Sequence, residues 1–68
     1  PDTVWGTDVY TDDSSLCSAA IHAGAISQLE GGVFTVTMVE GLDEHPGTER
    51  NGISTSDWGS WSTSFTVE

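Results

Sequence analysis

One cysteine, Cys17, is all that a chain of 68 residues has for cross-linking itself, so no internal disulfide can form. That limits the fold severely. A domain this short buries only about 60% of the surface its unfolded chain exposes, and below roughly 70 to 80 residues one core seldom supplies more than about 3 to 5 kcal/mol. Either the helix and strands pack unusually well, or something outside these residues completes the structure. The chain begins with Pro1 rather than Met, which reads as a piece processed or cut from something longer.

The segment around the cysteine, Asp13 to Gly24, has both helix ends marked. Asp12, Asp13 and Ser14 offer N-cap oxygens and favourable negative charge, and Gly24 can take the left-handed turn that stops a helix. Leu16, Cys17, Ala20 and Ile21 fall on one stripe, with Ala19 and Ala23 beside them. Such small residues predict a central helix, well covered by strands, with Cys17 buried. After the Gly31-Gly32 turn, Val33 to Val39 alternates, Phe34, Val36 and Met38 sharing one face. Gly41 to Gly47, with Asp43, Glu44, His45 and Pro46, reads as an exposed loop, and Asn51-Gly52 as a tight turn. In the last strand Trp61, Thr63, Phe65 and Val67 point to a core while Ser60, Ser62, Ser64 and Thr66 face water. Val4, Trp5, Val9 and Tyr10 suggest one or two short strands at the front, broken at Gly6. The fold class is therefore α+β, one central helix enclosed by short strands.

Eleven acidic residues against the single Arg50 give a formal charge of -10. A field of that sign repels phosphates and anionic lipid, which argues against nucleic-acid partners and membrane-surface binding. The acids are scattered among apolar residues, as in a folded domain rather than a disordered tail. A surface almost free of cations also suits a salty or calcium-rich setting. No apolar run approaches the ~20 residues that a membrane-spanning helix needs.

Val4-Trp5-Gly6, Tyr10-Thr11-Asp12-Asp13-Ser14-Ser15-Leu16-Cys17 and Ala19-Ala20-Ile21-His22-Ala23-Gly24 resemble the signature of the LCCL domain. Gly31-Gly32-Val33, Arg50-Asn51-Gly52-Ile53 and Trp61-Ser62-Thr63-Ser64-Phe65 look like that family's glycine turn, asparagine-glycine turn and closing strand. The resemblance implies a helix wrapped by strands in secreted or cell-surface multidomain proteins. It also implies no established enzymatic activity, and links to host defence and to binding of surface glycoconjugates. The animal domain is longer at its N-terminus and has further cysteines besides the one matching Cys17. Residues 1–68 thus read as one LCCL-like domain, either a divergent version without disulfides or one whose N-terminal portion lies outside this chain.

Cys17 and His22, five positions apart on one helix, point about 140° from each other and cannot form a catalytic dyad. Cys17 with His22 and His45 has no zinc-ligand spacing. The plain reading of His22, beside the Gly24 stop, is an imidazole bonded to nearby oxygens, with a pH switch as its rival. Asp12 and Asp13 most simply cap the helix. Their rival role is calcium binding, with Asp8 or with Asp43 and Glu44, though no spaced calcium-loop motif is present. Strand alternation puts Trp61 in the core and leaves Trp5, Tyr10 and Trp58 as candidate binding aromatics. The leading expectation is a non-catalytic extracellular or cell-surface module for recognition or adhesion, with no cofactor, binding a polysaccharide, a glycolipid or a protein. The competing one is a structural subunit that packs against copies of itself in a surface assembly such as a filament.

Overall fold

A computed structural model describes residues 3–68; Pro1 and Asp2, the chain's first two residues, lie outside them. The chain opens with a small hairpin, β1 (Gly6–Thr7) and β2 (Val9–Thr11), whose register pairs Gly6 with Tyr10 and Thr7 with Val9. The reversal falls on Asp8, at φ 69, and not at Gly6 as expected. Aspartate tolerates the left-handed region better than most side chains, and Gly6 is needed inside the strand, where a Cβ would collide with the Val9 carbonyl.

Helix α1 (Leu16–Ala23) starts later than expected, because Ser15 is the N-cap and its Oγ accepts from the Ser18 N–H at 3.5 Å. Asp12 and Asp13 therefore do not cap it. They sit in the preceding turn, where Asp12 Oδ1 accepts from the Trp61 indole N–H and Asp13 Oδ1 from the Thr11 hydroxyl, each at 2.7 Å. Gly24, at φ 85, ends the helix with its N–H on the Ala20 and Ile21 carbonyls.

The buried face of α1 is Ala19, Ala20 and His22, flanked by Ala23 against the core. This is a different face from the stripe expected through Leu16, Cys17, Ala20 and Ile21. Leu16 is 47% exposed, and Cys17 is exposed and unbonded, which corrects its expected burial. At about 100° per residue Cys17 lies about 160° around the axis from Ala19, so turning the alanines inward turns the thiol outward. Strands cover the helix on its inner side only.

Strands β1 and β2 join β6 (Thr63–Val67) and β3 (Val36–Glu40) in a four-stranded antiparallel sheet of order β1-β2-β6-β3. Strand β6 is central, pairing Phe65 with Tyr10 on one side and with Met38 on the other. Both of its edges are therefore paired at mid-strand, and Ser64, expected to be wet, is fully buried, its hydroxyl meeting the buried ring of His45. Strand β3 is an edge. Its pairing begins at Thr35, bonded both ways to Glu68, while Val33 stays 98% exposed, so the strand starts later than expected. Val36 and Met38, which share one face of the strand, are exposed, because α1 packs on β6 and on a second hairpin rather than over this edge.

That hairpin is β4 (Glu49–Arg50) and β5 (Ile53–Ser54). Asn51 and Gly52 turn it at φ 54 and φ 82, the two left-handed residues of a type I′ turn. Asn51 also reaches α1, its Nδ2 donating to the carbonyls of Ile21 at 3.1 Å and His22 at 3.0 Å. The core between these layers is small: Val4, Tyr10, Ala19 and Phe65, with Ala23 and Val67 at its border.

Candidate functional site

Both histidines are fully buried, and their bonds are what place the rest of the site. His22 Nε2 lies 3.2 Å from the Thr48 carbonyl and 3.2 Å from its hydroxyl. A carbonyl only accepts, so Nε2 carries the proton and Nδ1 accepts from the Tyr10 hydroxyl at 2.9 Å. One imidazole thus ties helix, sheet and second hairpin together. His45 does the same elsewhere: Nδ1–H donates to the Gly59 carbonyl at 2.8 Å, and Nε2 accepts from the Ser64 hydroxyl at 2.9 Å. The segment Gly41 to Gly47 is thus pinned to the sheet at its middle, not the uniformly exposed loop expected.

His45 also anchors Trp58 through its backbone. The two residues exchange N–H···O bonds of 2.6 and 2.9 Å, which fixes the Trp58 backbone at the surface. Trp58 remains 46% exposed and stands edge-to-face to two other indoles, with centroids 6.1 Å from Trp5 and 5.9 Å from Trp61. Trp5 is half-buried, positioned by its N–H on Ser14 Oγ at 3.0 Å. Trp61 is also half-buried, ahead of β6 rather than within it, and its indole N–H is held by Asp12. Its expected place in the core is thus corrected. Together the three tryptophans make an aromatic row whose middle member faces solvent.

Of the aromatics singled out from the sequence, Trp5 and Trp58 meet in this row. Tyr10 does not. It has no exposed surface and is unavailable to a ligand, since its ring is enclosed against Phe65 and His22, each at 5.7 Å. Burial pushes its phenol above the ordinary tyrosine range. Beside Trp58 opens a cleft of about 270 Å³ walled by Glu44, His45, Pro46 and Asp57. Asp57 is oriented there, Oδ1 accepting from the Gly47 N–H at 2.7 Å.

Of the residues of the calcium alternative, Asp8, Asp12 and Asp13 are separately occupied. Asp8 pairs with Arg50 at 2.9 Å on the surface, and Asp12 and Asp13 hold the bonds given above. Among the described residues no group of three His, Cys, Asp or Glu side chains stands close enough to hold a metal ion, so that reading has no geometry here. No helix among them is long and apolar enough to cross a membrane. Sequence reasoning missed His45, Asp57 and Asn51. For Asn51 a signal existed, since asparagine at a left-handed turn can also reach a neighbouring helix end; for His45 the only sign was a histidine between two turn-forming stretches.

Comparison with known proteins agrees with this arrangement. The chain is 40% identical over 65 residues to cochlin of Cavia porcellus, covering 96% of the chain and 12% of that protein. It is 41% identical over 56 residues to the human cysteine-rich secretory protein LCCL domain-containing 2, covering 82% of the chain and 11% of the relative. A fission-yeast protein named transcriptional regulatory protein rxt3 is 36% identical over 61 residues, covering 84% of the chain and 17% of its own length. The chain spans a small part of each, and none is named as an enzyme. The model of the LCCL domain matches residues 1–65, and with helix, glycine stop, asparagine-glycine hairpin and closing strand all in their places, the chain belongs to the LCCL domain family.

Proposed function

We propose that this domain is a non-catalytic recognition module carried on extracellular proteins, and that it contacts its partner through the tryptophan row centred on Trp58. The observation that carries the reading is the half-exposed indole of Trp58, held edge-on by Trp5 and Trp61 and locked through the buried His45. Aromatic rings fixed in this way give contact area at little entropic cost. The alternative roles for polar groups are taken up: both imidazoles are spent on internal bonds, and the thiol of Cys17 stands alone on the outer face of α1. The test is to titrate the folded domain with surface polysaccharides, glycolipid micelles and protein candidates while following the indole N–H signals by NMR. A ligand that moves Trp58 and is lost in Trp58→Ala supports the reading; binding that leaves all three indoles unmoved overturns it.

A second reading rests on a different surface. Strand β3 ends the sheet with its outer edge unpaired by any described strand, and Val36, Met38 and Leu42 lie exposed along it. Such an edge can add a strand from another copy, as a subunit of an assembly would. A concentration-dependent rise in mass by light scattering, abolished by Met38→Lys, would favour assembly over recognition by the monomer.

A further inference from the structure

We infer that the cleft beside Trp58 takes the guanidinium of an arginine in a basic segment of a protein partner. This rests on the recognition reading and names its partner chemistry. A planar cation stacked on an indole is attracted by the ring's quadrupole, tryptophan being the strongest such partner. Trp58 offers nearly half its surface, and its neighbours Trp5 and Trp61 hold it edge-on.

The cleft walls select the sign of the ligand. Glu44 and Asp57 line the same cleft as Pro46 and Trp58, and the Gly47 N–H orients one Asp57 oxygen and leaves the other for an outside donor. A guanidinium can lie on the indole while its fork donates to a carboxylate, a combination that a lysine ammonium, a compact and strongly hydrated charge, makes less well. The whole chain adds to this. Its charge is -10, and its single arginine is already paired with Asp8, so the long-range field steers cations and offers a neutral sugar nothing. The site is also pre-formed, since His45 carries both the backbone that fixes Trp58 and a buried ring that fixes the segment to β6. Little ordering is left for the ligand to impose.

The probes are a soluble glycine-arginine repeat peptide, the matching glycine-lysine peptide and a neutral polysaccharide, each titrated into the intact chain with the indole signals followed. The expected result is saturable movement of Trp58 by the arginine peptide, several-fold tighter than by the lysine peptide. Trp58→Ala should weaken it by about tenfold, the scale of one partly desolvated cation–aromatic contact, and Asp57→Asn by several-fold. Glu30→Gln, which removes the same charge from an exposed site outside the cleft, should change it little. If Glu30→Gln weakens binding as much as Asp57→Asn, or Trp58→Ala leaves it unchanged, the attraction is general charge and the inference fails. If the polysaccharide moves Trp58 and the arginine peptide does not, the inference fails while the recognition reading stands. Silence of Trp58 toward all three probes removes both. Backbone amide spectra of each variant verify that it is folded.

Discussion

Tyr10→Phe tests the idea that buried imidazoles do the cross-linking in this domain. The Tyr10 hydroxyl donates to His22 Nδ1 at 2.9 Å, and neither side chain has any exposed surface. The substitution keeps the ring and its 5.7 Å packing on Phe65, and it removes a single donor. His22 cannot compensate, because Nε2 is committed to Thr48 and water does not reach the site. A buried acceptor left without its donor costs about 1–3 kcal/mol. Against a total that seldom exceeds about 3 to 5 kcal/mol for so short a chain, that is a large fraction. The thermal midpoint should drop about 4–8 °C for each kcal/mol lost. Urea unfolding followed by tryptophan fluorescence measures the change, with an unchanged slope showing that compactness is preserved. Alkaline pH gives a second signature. Burial raises the Tyr10 phenol above its ordinary value of 10.0, so the unfolded chain releases that proton first. The corresponding stability is whole below about pH 10 and is lost as pH rises from there through the folded value. The phenylalanine variant has no such proton, and this alkaline loss should vanish from its profile. A variant within about 0.5 kcal/mol of the parent, the range of an inconsequential surface change, or one whose alkaline loss is undiminished, would refute the reasoning.

Asn51→Ala should cost about 1–2 kcal/mol, losing two bonds to the last carbonyls of α1 and straining a left-handed residue; Asn51→Gly restores the backbone term alone and should recover only part of the loss in the same urea assay. Cys17 should react with a thiol reagent in the native state as fast as a free thiol, and Cys17→Ser should change stability by less than about 0.5 kcal/mol, whereas slow labelling would put the helix in another rotation. Gly41→Ala should leave little folded protein by circular dichroism, since a Cβ there would run into the Trp61 carbonyl where the chain passes β6; a loss below about 1 kcal/mol would contradict that close approach.

The elements with strong local signals were legible from the sequence: the glycine stop of α1, the asparagine-glycine hairpin and the presence of the closing strand, though not its wet and dry faces, since Ser64 is as buried as Phe65. Each depends on short-range backbone chemistry. Orientation was less legible. The helix stripe through Leu16 and Cys17 is the more apolar choice, but the inner face uses Ala19, Ala20 and Ala23, because only small side chains let the helix approach a sheet and a hairpin so closely. Apolarity predicts which residues prefer burial, whereas close approach is decided by which residues are small enough to permit it. Strand β3 failed for a related reason: its alternation is real, but an alternating strand needs a layer to cover one face, and α1 lies elsewhere.

The missing disulfide takes a different form in light of these placements. A cross-link joins segments distant in sequence, and here two imidazoles do so non-covalently, His22 joining Tyr10 to Thr48 and His45 joining Gly59 to Ser64. Both use their two ring nitrogens, one donating and one accepting. Among the described residues no buried side-chain polar atom lacks a partner. A bond between groups that would otherwise be solvated contributes about 0.5–1.5 kcal/mol net, less than the typical 2–4 kcal/mol of a disulfide, so the domain needs both histidines and every partner in place. The same economy ties stability to function, since His45 is both an anchor of the sheet and the support of Trp58. A substitution that loosens His45 therefore loosens the aromatic row with it, and the surface proposed for recognition is only as ordered as a buried ring one bridge away.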